Sequence, residues 1–286
     1  MENVIELRNV EKTFKGFQLQ NFSLDVKKGY VTGMIGPNGA GKSTTIKLIM
    51  NLIKADRGTI KVFGMDYEKN AKNIKEKIGF VCDENVFYED STLKAMKNII
   101  RPAYTQWDES QFNYYVELFE LPLKKKVKTF SKGMKMKASL AMALSHHPEL
   151  LIMDEPTSGL DPVFRRELLE ILRELMLTGD KTILFSTHIT TDLDRIADYI
   201  TFIHGGRHIF TKEMYQIEEQ YAIVKGSLDL LDADTEKEFI SIRKTESGFE
   251  ALTEHKERVM NIFGEEAIIE KPTLEDIMYY TNKGEV

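Results

Sequence analysis

One nine-residue stretch constrains this chain more than any other: Gly36-Pro37-Asn38-Gly39-Ala40-Gly41-Lys42-Ser43, followed by Thr44, a complete G-x-x-x-x-G-K-[S/T] pattern. The run Tyr30-Val31-Thr32-Gly33-Met34-Ile35 before it is apolar enough for a buried strand. Lys42 to Leu52 after it carries apolar residues at Ile46, Leu48, Ile49 and Leu52, which suits a helix. Strand, glycine loop and helix is the context in which the pattern binds phosphate. Glycines let the backbone curl so that successive N–H groups point at an anion, and the helix N-terminus adds partial positive charge. Gly36, Asn38, Gly39, Ala40, Gly41, Lys42, Ser43 and Thr44 are therefore candidate nucleotide contacts, with Lys42 on the β/γ-phosphates and the Ser43 hydroxyl on Mg²⁺.

The chain has 286 residues, enough for one large domain or two smaller ones with real cores. Its net charge of −6 argues against a general nucleic-acid binder, so no direct nucleic-acid partner is expected. A single cysteine, Cys82, excludes a disulfide framework within the chain and fits a reducing compartment. No apolar run approaches the roughly 18 residues that span a bilayer, and the opening residues carry no signal-peptide pattern, so a cytoplasmic location is expected.

Alternation of apolar and polar side chains over residues 4–8 and 17–26 predicts strands with one buried face, an antiparallel flank to the nucleotide-binding core. From Glu89 to Leu144 the text is helical and rich in Lys, Glu and Met, a helical insertion with aromatics at Trp107, Phe112, Tyr114, Tyr115 and Phe119. Leu150-Leu151-Ile152-Met153 reads as a short buried strand, and Asp161-Pro162 supplies an N-cap and first-turn proline for the next helix. Two more strands, at residues 182–185 and 199–203, complete an alternation that implies a mainly parallel α/β sheet. After about Gln220 a strand at residues 221–224, a turn at Gly248, a helix from Glu250 to Phe263 and a capping box at Thr273 and Asp276 suggest a small α+β module over residues 221–286.

The apolar strand ending in Asp154-Glu155 lies 112 residues beyond Lys42. A carboxylate there can hold Mg²⁺ through its waters, and the next can polarise an attacking water. With Ser131-Lys132-Gly133-Met134-Lys135 twenty-three residues before Asp154, Pro156-Thr157-Ser158-Gly159-Leu160-Asp161 after it, and His188 in Ser186-Thr187-His188, the chain resembles the ATPase subunit of ABC transporters over about residues 1–220. The resemblance implies a P-loop NTPase core of the ABC type, with a helical subdomain at about 84–147 and the module at 221–286 appended.

It also implies a division of labour. Two copies, as a homodimer or heterodimer, pair head to tail with each ATP between the phosphate loop of one and the signature of the other. Ser131 and the Gly133 backbone then donate to the γ-phosphate in trans, Glu155 is the base, His188 orients the attacking water, and Phe14 stacks on adenine, with Phe17 the next candidate. Asp83 stands where the family usually has a Gln that contacts Mg²⁺ and senses the membrane partner; a carboxylate can ligate metal but offers no amide donor. Lys132 stands where Gly is usual.

The signature text, Asp83 and the closing Pro272-Thr273-Leu274-Glu275-Asp276-Ile277 resemble bacterial ABC-2-type exporter ATPases. This implies a separate integral-membrane permease that holds the subunit on the inner face of the cell membrane. In the family, the region of Val86-Phe87-Tyr88 with Leu93, Met96 and Ile99 forms the groove for a permease helix. An importer ATPase is the near alternative, and a non-transport ABC ATPase acting on ribosome or DNA a more distant one, since no second cassette or sustained heptad pattern is present. A guanine-reading Asn-Lys-x-Asp is absent, which argues against a GTP switch.

Overall fold

The computed structural model of the protein describes residues 2–82 and 88–284. Its N-terminal part is a long hairpin, β1 (Asn3–Phe14) and β2 (Phe17–Lys27), followed by β3 (Val31–Ile35) and α1 (Lys42–Ile49). Then come β4 (Arg57–Val62), β5 (Met65–Asp66), α2 (Tyr67–Glu76) and β6 (Ile78–Cys82). Strands β2, β1, β4 and β5 pair antiparallel in that order, the flank expected from the alternating pattern. Both hairpin strands run longer than the alternation indicated, because β1 continues past a register shift after Leu7. Helix α1 stops at Ile49, short of the predicted Leu52: Asn51 adopts positive φ, and Leu52 is exposed.

Three helices follow, α3 (Leu93–Ile100), α4 (Glu109–Leu118) and α5 (Lys132–Leu144), before β7 (Leu150–Asp154). They are the helical insertion. Phe112, Tyr115 and Phe119 are buried there, each such side chain worth roughly 2–3 kcal/mol of apolar burial, while Tyr114 faces out. Asp108 accepts from the Ser110 hydroxyl, caps α4 through the N–H groups of Gln111 and Ser110, and meets His147, which together hold its carboxyl well below the usual carboxylate range. Leu93 and Met96, read as part of an apolar groove, are buried inside this subdomain; Ile99 alone of the three is exposed.

The chain then alternates through α6 (Pro162–Met176), β8 (Thr182–Thr187), α7 (Thr190–Ile196), β9 (Tyr199–His204), β10 (Arg207–Glu213) and α8 (Met214–Gln220). Asp161 caps α6 through the N–H groups of Val163 and Phe164, as the Asp-Pro pair predicted. The central sheet has the order β10-β9-β3-β8-β7-β6; β10 is antiparallel and the others are parallel. The flank, sheet and helical insertion form the ABC-type P-loop NTPase fold.

The remaining elements are β11 (Ala222–Gly226), β12 (Ser241–Thr245), β13 (Gly248–Thr253), α9 (Lys256–Phe263), β14 (Ile268–Glu270) and α10 (Leu274–Gly284). The predicted helix over 250–263 is corrected here: residues 248–253 form a strand at the heart of a β12-β13-β11-β14 sheet, and the helix begins at Lys256. Pairing on both edges outweighs the helix propensity of Glu250, Ala251 and Leu252. The Thr273–Asp276 capping box forms as expected. Leu274, Ile277 and Tyr280 of α10 are buried in the same apolar cluster as Leu193 of α7 and Phe202 of β9, so the module shares the main core.

Candidate nucleotide-binding and hydrolysis site

Parallel pairing brings the ends of β3, β8 and β7 to one edge of the sheet: Ile35 lies beside Thr187, and Asp154 beside Ser186. In open α/β sheets ligands bind beyond these carboxyl ends. The glycine loop leaves β3 here. Gly36 passes so close to the backbone of Ile203 that a Cβ would lie 2.3 Å from its carbonyl oxygen, and Gly41, at φ 115°, starts α1 without any side-chain cap.

A cleft of about 880 Å³ opens above the loop, lined by Phe14, Phe17, Asn38, Gly39, Gly41, Lys42, Ser43, Thr44, Lys47, Ile53, Glu155, Ser158 and His188, with Gly16. A slightly larger hollow of about 950 Å³, between α8 and the start of α9, holds none of the motif residues.

Lys42 is almost fully buried and folds back over the loop, its Nζ donating to the Gly36 carbonyl at 2.7 Å and lying 3.3 Å from Glu155 Oε1. Glu155 Oε2 accepts from the His188 backbone N–H at 3.2 Å and lies 2.7 Å from its Nδ1. An ionised carboxylate only accepts, so Nδ1 carries the proton in this contact. One carboxylate thus spans a lysine from the phosphate loop and a histidine from the end of β8. Glu155 itself sits at φ 50°, a left-handed position for a residue with a long side chain.

Asp154 accepts from the Ser186 hydroxyl at 2.5 Å. Among the described residues no group of three or more His, Cys, Asp or Glu side chains could cage a metal. Ser43 lines the cleft and Asp154 does not; a hydroxyl and a carboxylate are both hard-oxygen donors of the kind Mg²⁺ takes.

The structure gathers Phe14, Asn38, Gly39, Gly41, Lys42, Ser43, Thr44, Glu155 and His188 in the cleft. Ala40 is buried instead, with its N–H bonded to the Pro37 carbonyl, and Gly36 serves the turn beneath. Ser131 and Gly133 do not line the cleft; they open α5, where the Ser131 hydroxyl accepts from the Met134 N–H at 3.2 Å. Asp83 and Phe87 lie outside the described residues. Lys47 and Ser158 were missed: Lys47 is one helical turn past Ser43, a signal available in the sequence, and Ser158 belongs to the Pro156–Asp161 motif.

The glycine loop opening α1, with its lysine drawn to a strand-end acid, defines a P-loop nucleoside triphosphatase cassette. The ABC transporter family pattern matches residues 19–158. YtrB of Bacillus subtilis, an ABC transporter ATP-binding protein, is 32% identical over 227 residues, 79% of this chain and 77% of its own. The bacitracin transport ATP-binding protein BcrA of Bacillus licheniformis is 34% identical over 210 residues, 72% of this chain and 69% of its own. A solved ATP-binding subunit of an ABC transporter superposes with a TM-score of 0.68 at 30% identity, covering 76% of this chain and 92% of that one. The chain belongs to the ABC transporter ATP-binding family, and ATP is its nucleotide.

Proposed function

We propose that the chain is the motor subunit of an exporter, hydrolysing Mg-ATP to drive a separate membrane permease. The observation that carries the hydrolytic part is the Glu155 carboxylate held between Lys42 and His188. Glu155 accepts a proton from the attacking water, and His188 keeps that carboxylate oriented. Lys42 exchanges its contacts with Gly36 and Glu155 for the β/γ-phosphates, and Phe14, 43% exposed at the cleft mouth, stacks on adenine. Ser43 and Asp154 would hold Mg²⁺, which neutralises charge on the phosphates; Asp83 is the further candidate ligand.

Ser131 and the Gly133 backbone complete the opposite site of a head-to-tail dimer. A Cβ on Gly133 would meet Phe164 at 3.5 Å and the Ser131 hydroxyl at 3.9 Å, both ordinary contacts, so packing among the described residues does not require glycine there. That is consistent with a ligand approaching from outside.

Export is supported by the bacitracin-transport relative and by the signature text. Among the described residues no helix is long and apolar enough to cross a membrane, consistent with attachment to the inner membrane face through a permease. The cargo-recognising surface then belongs to that permease.

Glu155→Gln tests the mechanism: turnover falls by about 10³, within the range for loss of a general base, while ATP binding persists and an ATP-bound dimer accumulates. Steady-state hydrolysis within threefold of wild type would remove Glu155 from this role. Replacing Phe87 and Tyr88, the latter 69% exposed, with Ser should lower permease recovery on co-purification without altering basal hydrolysis. Unchanged recovery would overturn the groove assignment, and absence of any membrane partner for the wild type would overturn the transporter reading.

A further inference from the structure

The His188 loop and the Pro156–Asp161 loop each lead into a helix, and one ion pair joins those helices a single turn further on. Asp192, four residues after His188, is 2% exposed in the first turn of α7; Arg165, four after the capping Asp161, is in the first turn of α6. Arg165 Nε donates to Asp192 Oδ1 at 2.6 Å, and Nη2 donates to Thr191 Oγ1 at 2.9 Å. The guanidinium therefore grips α7 at two adjacent residues. Its planar fork fixes direction as well as distance.

Helix α7 needs such a grip. It has seven residues, and Ile189 at its N-cap supplies no side-chain bond to the first turn. Helices this short do not hold themselves together in water. Below, Leu193 packs so tightly on β3 that a Cβ at Gly33 would lie 2.6 Å from its Cδ1, which sets the helix's height above the sheet. Sliding across the sheet is restrained by Arg165. Four residues upstream, both the backbone and the ring of His188 contact Glu155, so a lateral shift of α7 passes directly to that carboxylate.

We propose that Arg165 and Asp192 are positioning residues for hydrolysis, fixing the His188 loop against the Pro156–Asp161 loop so that His188 holds Glu155 in register. Neither lines the nucleotide cleft. The pair acts through His188, and this rests on the ATPase reading above. A misplacement of about 1 Å at such a distance from the chemistry can cost on the order of 10²-fold in rate.

The test compares Arg165→Met/Asp192→Leu, Asp192→Asn and Arg165→Lys in the full-length chain. Asp192 is buried and Arg165 partly so; replacing a buried ion pair by apolar residues of similar volume is often neutral for stability, so the double variant separates folding from positioning. Expected are a melting temperature near wild type, KM for ATP within twofold, kcat lower by about 10- to 100-fold, and a shifted His188 imidazole NMR resonance. Arg165→Lys, which keeps charge but not the fork, should fall between. A folded double variant with kcat within threefold of wild type overturns the proposal, as does an unmoved His188 resonance or a rise in KM accounting for the loss. Unfolding of every variant also overturns it, making the pair a structural clamp. A wild type that does not hydrolyse ATP, in an assay where ATP binding is detected, would instead remove the ATPase reading.

Discussion

Two helices of this protein, α1 and α5, begin at motif residues, and their N-termini are finished differently. At α1 the N-cap is Gly41, with no side chain to satisfy the first-turn N–H groups. At α5 the N-cap is Ser131, whose hydroxyl already accepts from Met134. Uncapped N–H groups bearing the helix's partial positive charge form a site for phosphate without competition from the chain itself. A serine cap is self-sufficient as a helix end, yet its hydroxyl proton remains available to donate while the oxygen accepts. In the head-to-tail arrangement proposed above, the first terminus would bind nucleotide in any state of assembly, and the second, already capped, would engage it only when another copy arrives.

That contrast can be broken at either end. Lys42→Ala at the α1 terminus should have the largest effect, lowering ATP affinity by about 10- to 100-fold, as losing a charged hydrogen bond does, and turnover by about 10² more. Titration calorimetry with steady-state kinetics reads both; an unchanged affinity would mean that Lys42 does not reach the phosphates. Ser131→Arg should leave monomer affinity within twofold but remove the ATP-driven dimer and about 10² of turnover. Light scattering with and without ATP checks this, and weakened monomer binding would contradict the asymmetry. Phe14→Ser, elsewhere in the cleft lining, should weaken ATP by about tenfold if the ring stacks on the base. Competition between ATP and inorganic triphosphate distinguishes stacking from a general defect, since triphosphate should be unaffected. On stability alone, Ser131→Ala is expected to cost about 1 kcal/mol from the lost cap. A denaturant midpoint indistinguishable from wild type would show that the Ser131–Met134 bond contributes nothing to the helix.

The α1 site was legible because its residues are consecutive: Gly36 to Thr44 encode turn, cap and lysine in one stretch. Glu155 and His188 were legible through their motifs, but their contact was not, because it depends on β7 and β8 being neighbours in a sheet whose order the sequence does not print. Arg165 and Asp192 were invisible for the same reason. The Ala40 N–H bond to the Pro37 carbonyl was not legible either, because the pattern does not reveal which N–H groups the loop keeps for itself. The strand at Gly248–Thr253 escaped because Glu250, Ala251 and Leu252 favour a helix locally, and only pairing with β11 and β12 decides otherwise.

The left-handed backbone at Glu155 carries an energetic corollary. A non-glycine residue there costs on the order of 1–3 kcal/mol, and glycine relieves it. The carboxylate chemistry therefore occupies a position whose backbone angle alone would favour glycine, as would those of Phe63, Glu120 and His147. Glu155→Gly relieves that angle but leaves the buried Lys42 ammonium without its carboxylate, a loss of about 3–5 kcal/mol for a broken buried pair that outweighs the gain. The contacts that aim the carboxylate thus also hold its backbone in a conformation it would otherwise leave, so position and strain stand or fall together.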